Sequence, residues 1–334
     1  VTAAERDVNG WRAAMDAALY GPGGFFVGPA GPRDHFRTSV HASPLFAGAI
    51  LRLLHAVDAA LGHPRPFDVV DVGAGRGELL AALAGHLPDP RFRFTAVERA
   101  PRPAGLDPRV GWAAEPPPGR TGLLLATEWL DNVPLDVAAV AADGTVHLVG
   151  VAPDGTERPA GPPSAADLAW LRDWWPLDGA PPGARAEIGH PRDAAWAAAV
   201  ATLDRGAALA VDYGHHRDTR PRAGTLTGYR AGRQVPPVPD GGADLTAHVA
   251  VDAVAAAAGH PYTLLTQREA LRALGVDGAR PPLALASTDP AAYLRALAAA
   301  GAGAELTDPA GLGGHWWLLH GVGVDPGRAL RCAG

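Results

Sequence analysis

The chain has 334 residues, 47% of them apolar, with a formal net charge of −6 and one cysteine, Cys332. It is long enough for one large or two modest domains with a sizeable core, and no run reaches the roughly 18 uninterrupted apolar residues of a membrane helix. The charge gives no general pull towards nucleic acid; the single cysteine excludes an internal disulfide and disfavours a thiolate metal site; the polar start Val1-Thr-Ala-Ala-Glu lacks a signal pattern, so a cytoplasmic protein is expected.

In chain order, residues 9–21 and 43–61 carry helix-like apolar spacing. The region 1–62 is expected as a helical cap over the core that follows. Strands are expected at 67–72, 92–97, about 109–112 (short) and 122–127, the last a continuous apolar run with turn signals on both sides, as in a buried parallel sheet. Residues 134–150 alternate as a hairpin around Asp143-Gly144. Residues 151–186 are rich in Pro and Gly, yet Trp170, Trp174 and Trp175 argue for a packed insertion. A helix at 192–204, a strand at 207–214 and a second irregular insertion follow. The chain closes with a helix at 249–258, a strand at 262–266, helices at 267–274 and 289–300, and a strand at 316–320. The expectation is a doubly wound, Rossmann-like α/β sheet over 63–334, with insertions at about 134–190 and 215–248 crowding the ligand-binding strand edge.

The most informative segment is Asp71-Val-Gly73-Ala-Gly75-Arg-Gly77-Glu78, between the first strand and a helix. Dinucleotide sites favour G-x-G-x-x-G. Here Glu78 stands where the third glycine would be, and its carboxylate would repel a pyrophosphate. S-adenosylmethionine (SAM) has no phosphate; it carries a sulfonium and an ammonium that Asp71 can help hold. A dinucleotide turn and a purely structural turn are the alternatives. Glu98, ending the second strand, is placed to accept the ribose hydroxyls, or is a solvated strand-end acid. Trp112 either packs on the adenine or is an ordinary packed indole.

Glu128, Asp131 and Asn132 follow the fourth strand directly, in the loop that faces the transferable methyl in a SAM domain. Paired carboxylates suit a guanidinium; the plainer reading is a loop capping itself. Asp212 and Tyr213 end the fifth strand at the same edge. Tyr229, Asp244, Thr246 and His248 fall in the second insertion and could line a substrate channel, although Asp244 and Thr246 would also cap a helix. His215-His216 has no partner at metal-ligand spacing, so no metal is expected. All 29 basic residues are arginine and asparagine occurs twice, a GC-rich coding bias. Most arginines therefore carry little functional weight, while Asn132 gains some.

The order of these motifs resembles the class I SAM-dependent methyltransferases of the MidA type, or DUF185 family, over about residues 10–320. Tyr20-Gly-Pro-Gly-Gly-Phe25-Phe26 is similar to the family's Y-x-P-x-x-G-Y-Y. Phe36-Arg-Thr38-Ser39 with Phe46 is similar to D-F-x-T-S…F-G, and the glycine turn to E-x-G-x-G-R-G. Glu128–Pro134 resembles N-E-F-F-D-A-L-P, while Asp212-Tyr213-Gly214, Gly224-Thr225-Leu226 with Tyr229, and Asp244–Val249 repeat D-Y-G, G-T-L-x-x-Y and D-L-T-A-H-V. Mitochondrial members assist respiratory complex I assembly by methylating an arginine. The resemblance implies SAM as cofactor, with Thr38 and Ser39 at its site, and a protein or peptide arginine as acceptor. A small-molecule acceptor and a non-catalytic assembly module are the alternatives; no nucleic acid or membrane partner is implied, and a homodimer is compatible. Departures at His41, Thr127 and Asn132, and in the Arg-Ala-Pro-Arg-Pro stretch after Glu98, cluster on the substrate side.

Overall fold

The computed structural model describes residues 9–28 and 39–332. Seven strands form the central sheet: β1 Phe67–Val72, β2 Phe92–Val97, β3 Val110–Ala113, β4 Arg120–Thr127, β5 Leu203–Asp212, β6 Tyr262–Thr266 and β7 Trp316–Val322. Their order is β3-β2-β1-β4-β5-β7-β6. The first five pair in parallel, and β7 runs antiparallel to β5 and β6. The expected doubly wound sheet is present. β1 is buried along its whole length, Asp68 and Asp71 included, because helices cover both faces of the sheet.

Helices α1 Trp11–Tyr20, α2 Pro44–Ala60, α3 Glu78–His86, α4 His190–Val200 and α5 Val251–Ala257 flank the site or the sheet. One face of the sheet packs Val69, Leu123, Leu209 and Trp317 against Phe46, Ile50 and Leu53 of α2 and Leu80 of α3. The other packs Val70, Leu124 and Ala208 against Trp196 of α4 and Val254 of α5. Ser43 caps α2 by accepting the Leu45 N–H, with Pro44 in the first turn.

This corrects the expected cap over 1–62. The apolar stripe of α2 is fully buried in the sheet core, so α2 belongs to the core. Of the two expected N-terminal helices, α1 alone joins the cap: Trp11, Met15 and Leu19 pack on Leu135, Val137, Val149 and Leu245. The hairpin is found as Asp136–Val140 and Val146–Val151, antiparallel, with Gly144 at φ +84°. Arg185–Ile188 extends it, and Trp170 and Trp175 fill its far side, so the first insertion is packed. Some boundaries differ: α4 ends at Val200 so that β5 begins at Leu203, and the helix expected at 289–300 runs from Pro290 to Leu306.

His320, on β7, is fully buried, neither ring nitrogen has a partner at hydrogen-bond geometry among the described residues, and burial pushes its pKa down to about 4. The folded state therefore resists a proton that the unfolded chain takes up near pH 6.5. Stability from this residue is present above that pH and is lost as pH falls towards 4. His320→Leu should remove the dependence. Between pH 7 and pH 5 the variant should gain about 2 kcal/mol relative to wild type in urea unfolding; a pH-independent difference would contradict the assignment.

Candidate functional site

The C-terminal ends of β1, β2, β4 and β5 open into a cavity of about 1080 Å³, closed from above by α1 and the second insertion. Gly73, Gly75 and Gly77 all have positive φ, +71°, +57° and +81°, which other residues adopt only at a cost. A Cβ on Gly73 would lie 2.7 Å from Trp129 Cδ1, whereas Gly75 meets nothing closer than Glu78 Oε2 at 3.8 Å. Gly73 and Gly75 line the cavity; Gly77 instead leads into α3.

Asp71, Glu78 and Glu98 surround this turn. Asp71 is buried, its Oδ1 has no partner among the described residues, and burial, with Glu98 and Glu78 nearby, raises its pKa to about 8. An incoming ammonium would satisfy that oxygen; a pyrophosphate would meet three acids. Glu98 accepts the Gly75 N–H (3.0 Å) and the Arg99 N–H (2.7 Å), which fixes its carboxylate at the cavity wall. These residues fit SAM: Asp71 would face the ammonium and Glu98 the ribose diol, and Gly73 and Gly75 would allow close approach. Glu98→Ala should weaken SAM binding by roughly 1–3 kcal/mol, the scale of hydrogen bonds to a charged group. Calorimetry on the folded variant checks this, and unchanged affinity would reject the ribose role.

Other expected cofactor residues are placed differently. Trp112 is not in the cavity lining; its indole donates to the Ala100 carbonyl at 3.0 Å and its ring packs on the core. Ser39 is fully buried behind the site, where its N–H donates to Glu128 Oε1 at 3.1 Å and its hydroxyl to Gln267 Oε1. Thr38 lies outside the described residues.

On the acceptor side, Glu128 lines the cavity with φ +52°, a left-handed conformation uncommon outside glycine and costly in backbone strain. Its N–H is held by the Val211 carbonyl at 2.8 Å. Asp131 is buried beside it: Oδ2 accepts the Tyr213 hydroxyl and Thr246 Oγ1 (2.7 Å), while Oδ1 has no partner among the described residues. Asn132 Nδ2 donates to Asp244 Oδ1 at 2.7 Å. Burial pushes the Asp131 and Asp244 pKa values up, and Asp131 raises that of Asp244 further.

Glu128, Asp131, Asn132, Tyr213, Tyr229, Asp244 and His248 thus converge on one wall. Asp212 and Thr246 do not line it. Asp212 turns inward to accept the Leu130 and Asp131 N–H groups, fastening the loop after β4, and Thr246 holds Asp131 from behind. Among residues not singled out from sequence, His315 lines the cavity with its ring 5.5 Å from that of Tyr213, and burial, with His248 nearby, lowers its pKa to about 4. Tyr20 and Phe26, stacked at 5.5 Å, add an aromatic wall. Among the described residues, no helix is long and apolar enough to cross a membrane and no acidic, histidine or cysteine cluster is arranged to hold a metal.

A family model described as "Putative S-adenosyl-L-methionine-dependent methyltransferase" matches residues 47–268. Comparison with curated proteins finds no match. Two crystal structures from Burkholderia thailandensis, of one superfamily, are similar in fold. The first, described as a "likely methyl transferase" bound to S-adenosyl-homocysteine, shares 25% identity with a TM-score of 0.77, covering 97% of this chain and 90% of its own. The second, a native structure, shares 26% identity with a TM-score of 0.79, covering 98% and 91%. The family match spans most of the chain, and the strand order, the glycine turn with its acids and these structures agree with it: the chain belongs to this family of class I S-adenosyl-L-methionine-dependent methyltransferases.

Proposed function

We propose that the methyl acceptor is a guanidinium nitrogen of an arginine side chain in a protein or peptide. The observation that carries this reading is the acceptor wall itself, where Glu128, Asp131 and Asp244 stand among the rings of Tyr20, Tyr213 and Tyr229. Burial raises the Asp131 and Asp244 pKa values, and the neighbouring Asp131 and Glu128 raise that of Asp244 further, so a cation relieves both groups. Aromatic faces favour a delocalised cation, and paired carboxylates match the planar fork of guanidinium donors.

When bound, SAM supplies a methyl carbon activated by its sulfonium. The chain must then present a nitrogen, exclude water and take one proton. Glu128, with the buried, unpartnered Oδ1 of Asp131 beside it, grips the guanidinium N–H groups, concentrates its electron density on one nitrogen, and receives the proton at its carboxylate. Asn132 keeps Asp244 on the same wall. The cavity volume of about 1080 Å³ also supports a second reading, a small cationic metabolite seated beside the cofactor.

Calorimetry separates these. Enzyme saturated with S-adenosylhomocysteine should bind an arginine peptide and not its citrulline counterpart, which keeps the shape and loses the charge. Equal binding, or none of either, would move the reading to the small metabolite.

A further inference from the structure

A buried arginine stands behind the acceptor wall. Arg192, in the first turn of α4, is 1% exposed. Among the described residues its hydrogen bonds all go to carbonyl oxygens: Nη2 to Asp131, Nε to Val133 at 3.1 Å, and Nη1 to Ala247 at 2.8 Å and His248 at 3.1 Å. The first pair of carbonyls belongs to the loop after β4, which carries Glu128 and Asp131. The second belongs to the segment that carries Thr246 and His248. One planar guanidinium therefore spans two segments about 115 residues apart in sequence, and the Ala247 N–H to Asp131 carbonyl bond, at 3.3 Å, joins them again.

We propose that Arg192 is a positioning residue of the acceptor site: it fastens the loop bearing Asp131 to the segment bearing Thr246 and His248. This fastening role does not depend on the guanidinium reading above. A full charge buried without a carboxylate contact is costly, and a residue chosen for packing alone would be apolar. The carbonyl fork satisfies donors of the guanidinium. The field of Arg192 acts on both Asp131 and Asp212, opposing the burial that pushes them up. Lysine could keep the charge but has no fork to reach four carbonyls.

The test compares Arg192→Lys and Arg192→Met with wild type. SAM affinity is measured by calorimetry and methyl transfer from labelled SAM into an arginine peptide, or into whichever fraction of a cell extract the wild type labels. Both variants should keep SAM affinity within about threefold and lose turnover per folded molecule by about tenfold or more, the scale of a displaced catalytic group. The loss should fall on kcat more than KM, and lysine should recover part of it. Variants that melt earlier yet turn over at the wild-type rate when folded would overturn the proposal. If neither variant folds, Thr246→Val tests the same fastening from the other side: it should lower kcat with SAM binding intact, and wild-type kcat would overturn the proposal. Labelling of a small molecule instead of arginine by wild type would defeat the guanidinium reading, while the variant-to-wild-type ratio would still decide the role of Arg192.

Discussion

Glu128→Gln is expected to leave SAM affinity nearly unchanged while cutting turnover by about 100-fold or more, the scale for losing a positioned proton acceptor. The variant keeps the amide oxygen that can accept the Ser39 N–H, so the strained backbone at φ +52° retains its support. It loses the charge that grips a guanidinium and the site that takes its proton. Steady-state kinetics with saturating SAM, beside a calorimetric titration of the same sample, reads both quantities. Turnover within a few-fold of wild type on an arginine acceptor would remove Glu128 from proton transfer.

The second large effect is expected at the turn. Gly73→Val should abolish measurable SAM binding, a loss of at least about 100-fold. Two costs add. A β-branched residue at φ +71° is strained in the left-handed region, and its Cβ would strike Trp129 at 2.7 Å. Displacing Trp129 would also move its neighbour Glu128, so cofactor and acceptor sides should fail together. Gly75→Ala meets open space and pays mainly the backbone strain, so its loss should be smaller unless the methyl overlaps the ligand. Near-wild-type SAM affinity in a folded Gly73→Val protein would contradict the site.

The parts of this structure that were legible in sequence are those set by local chemistry. The centres of β4 and β5 are apolar runs that a doubly covered sheet buries, and the Asp143-Gly144 hairpin and the glycine turn carry their own conformational signatures. The positions of Asp71 and Glu98 at the cavity edge were legible because a strand end places its last carboxylate there. Residues whose roles depend on distant partners were not. Asp212 ends β5 like the other acids, yet its carboxylate is drawn inward by N–H groups of the loop after β4. Trp112 is pulled to the Ala100 carbonyl. The helical spacing of Pro44–Ala60 shows an apolar stripe but not which surface will cover it. Arg192 was hidden by composition, since an all-arginine basic set makes no single arginine conspicuous, and only the fold brings four carbonyls around it. His315 became visible only when β7 brought its ring beside Tyr213.

The central claim is that this cavity transfers a methyl group from SAM to an arginine side chain. The most direct test incubates the protein with methyl-labelled SAM and an extract from cells lacking this chain, then hydrolyses the protein fraction and separates its amino acids. The account predicts label in methylated arginine, absent when Glu128→Gln replaces wild type. Label confined to small molecules, or to other side chains, would contradict it.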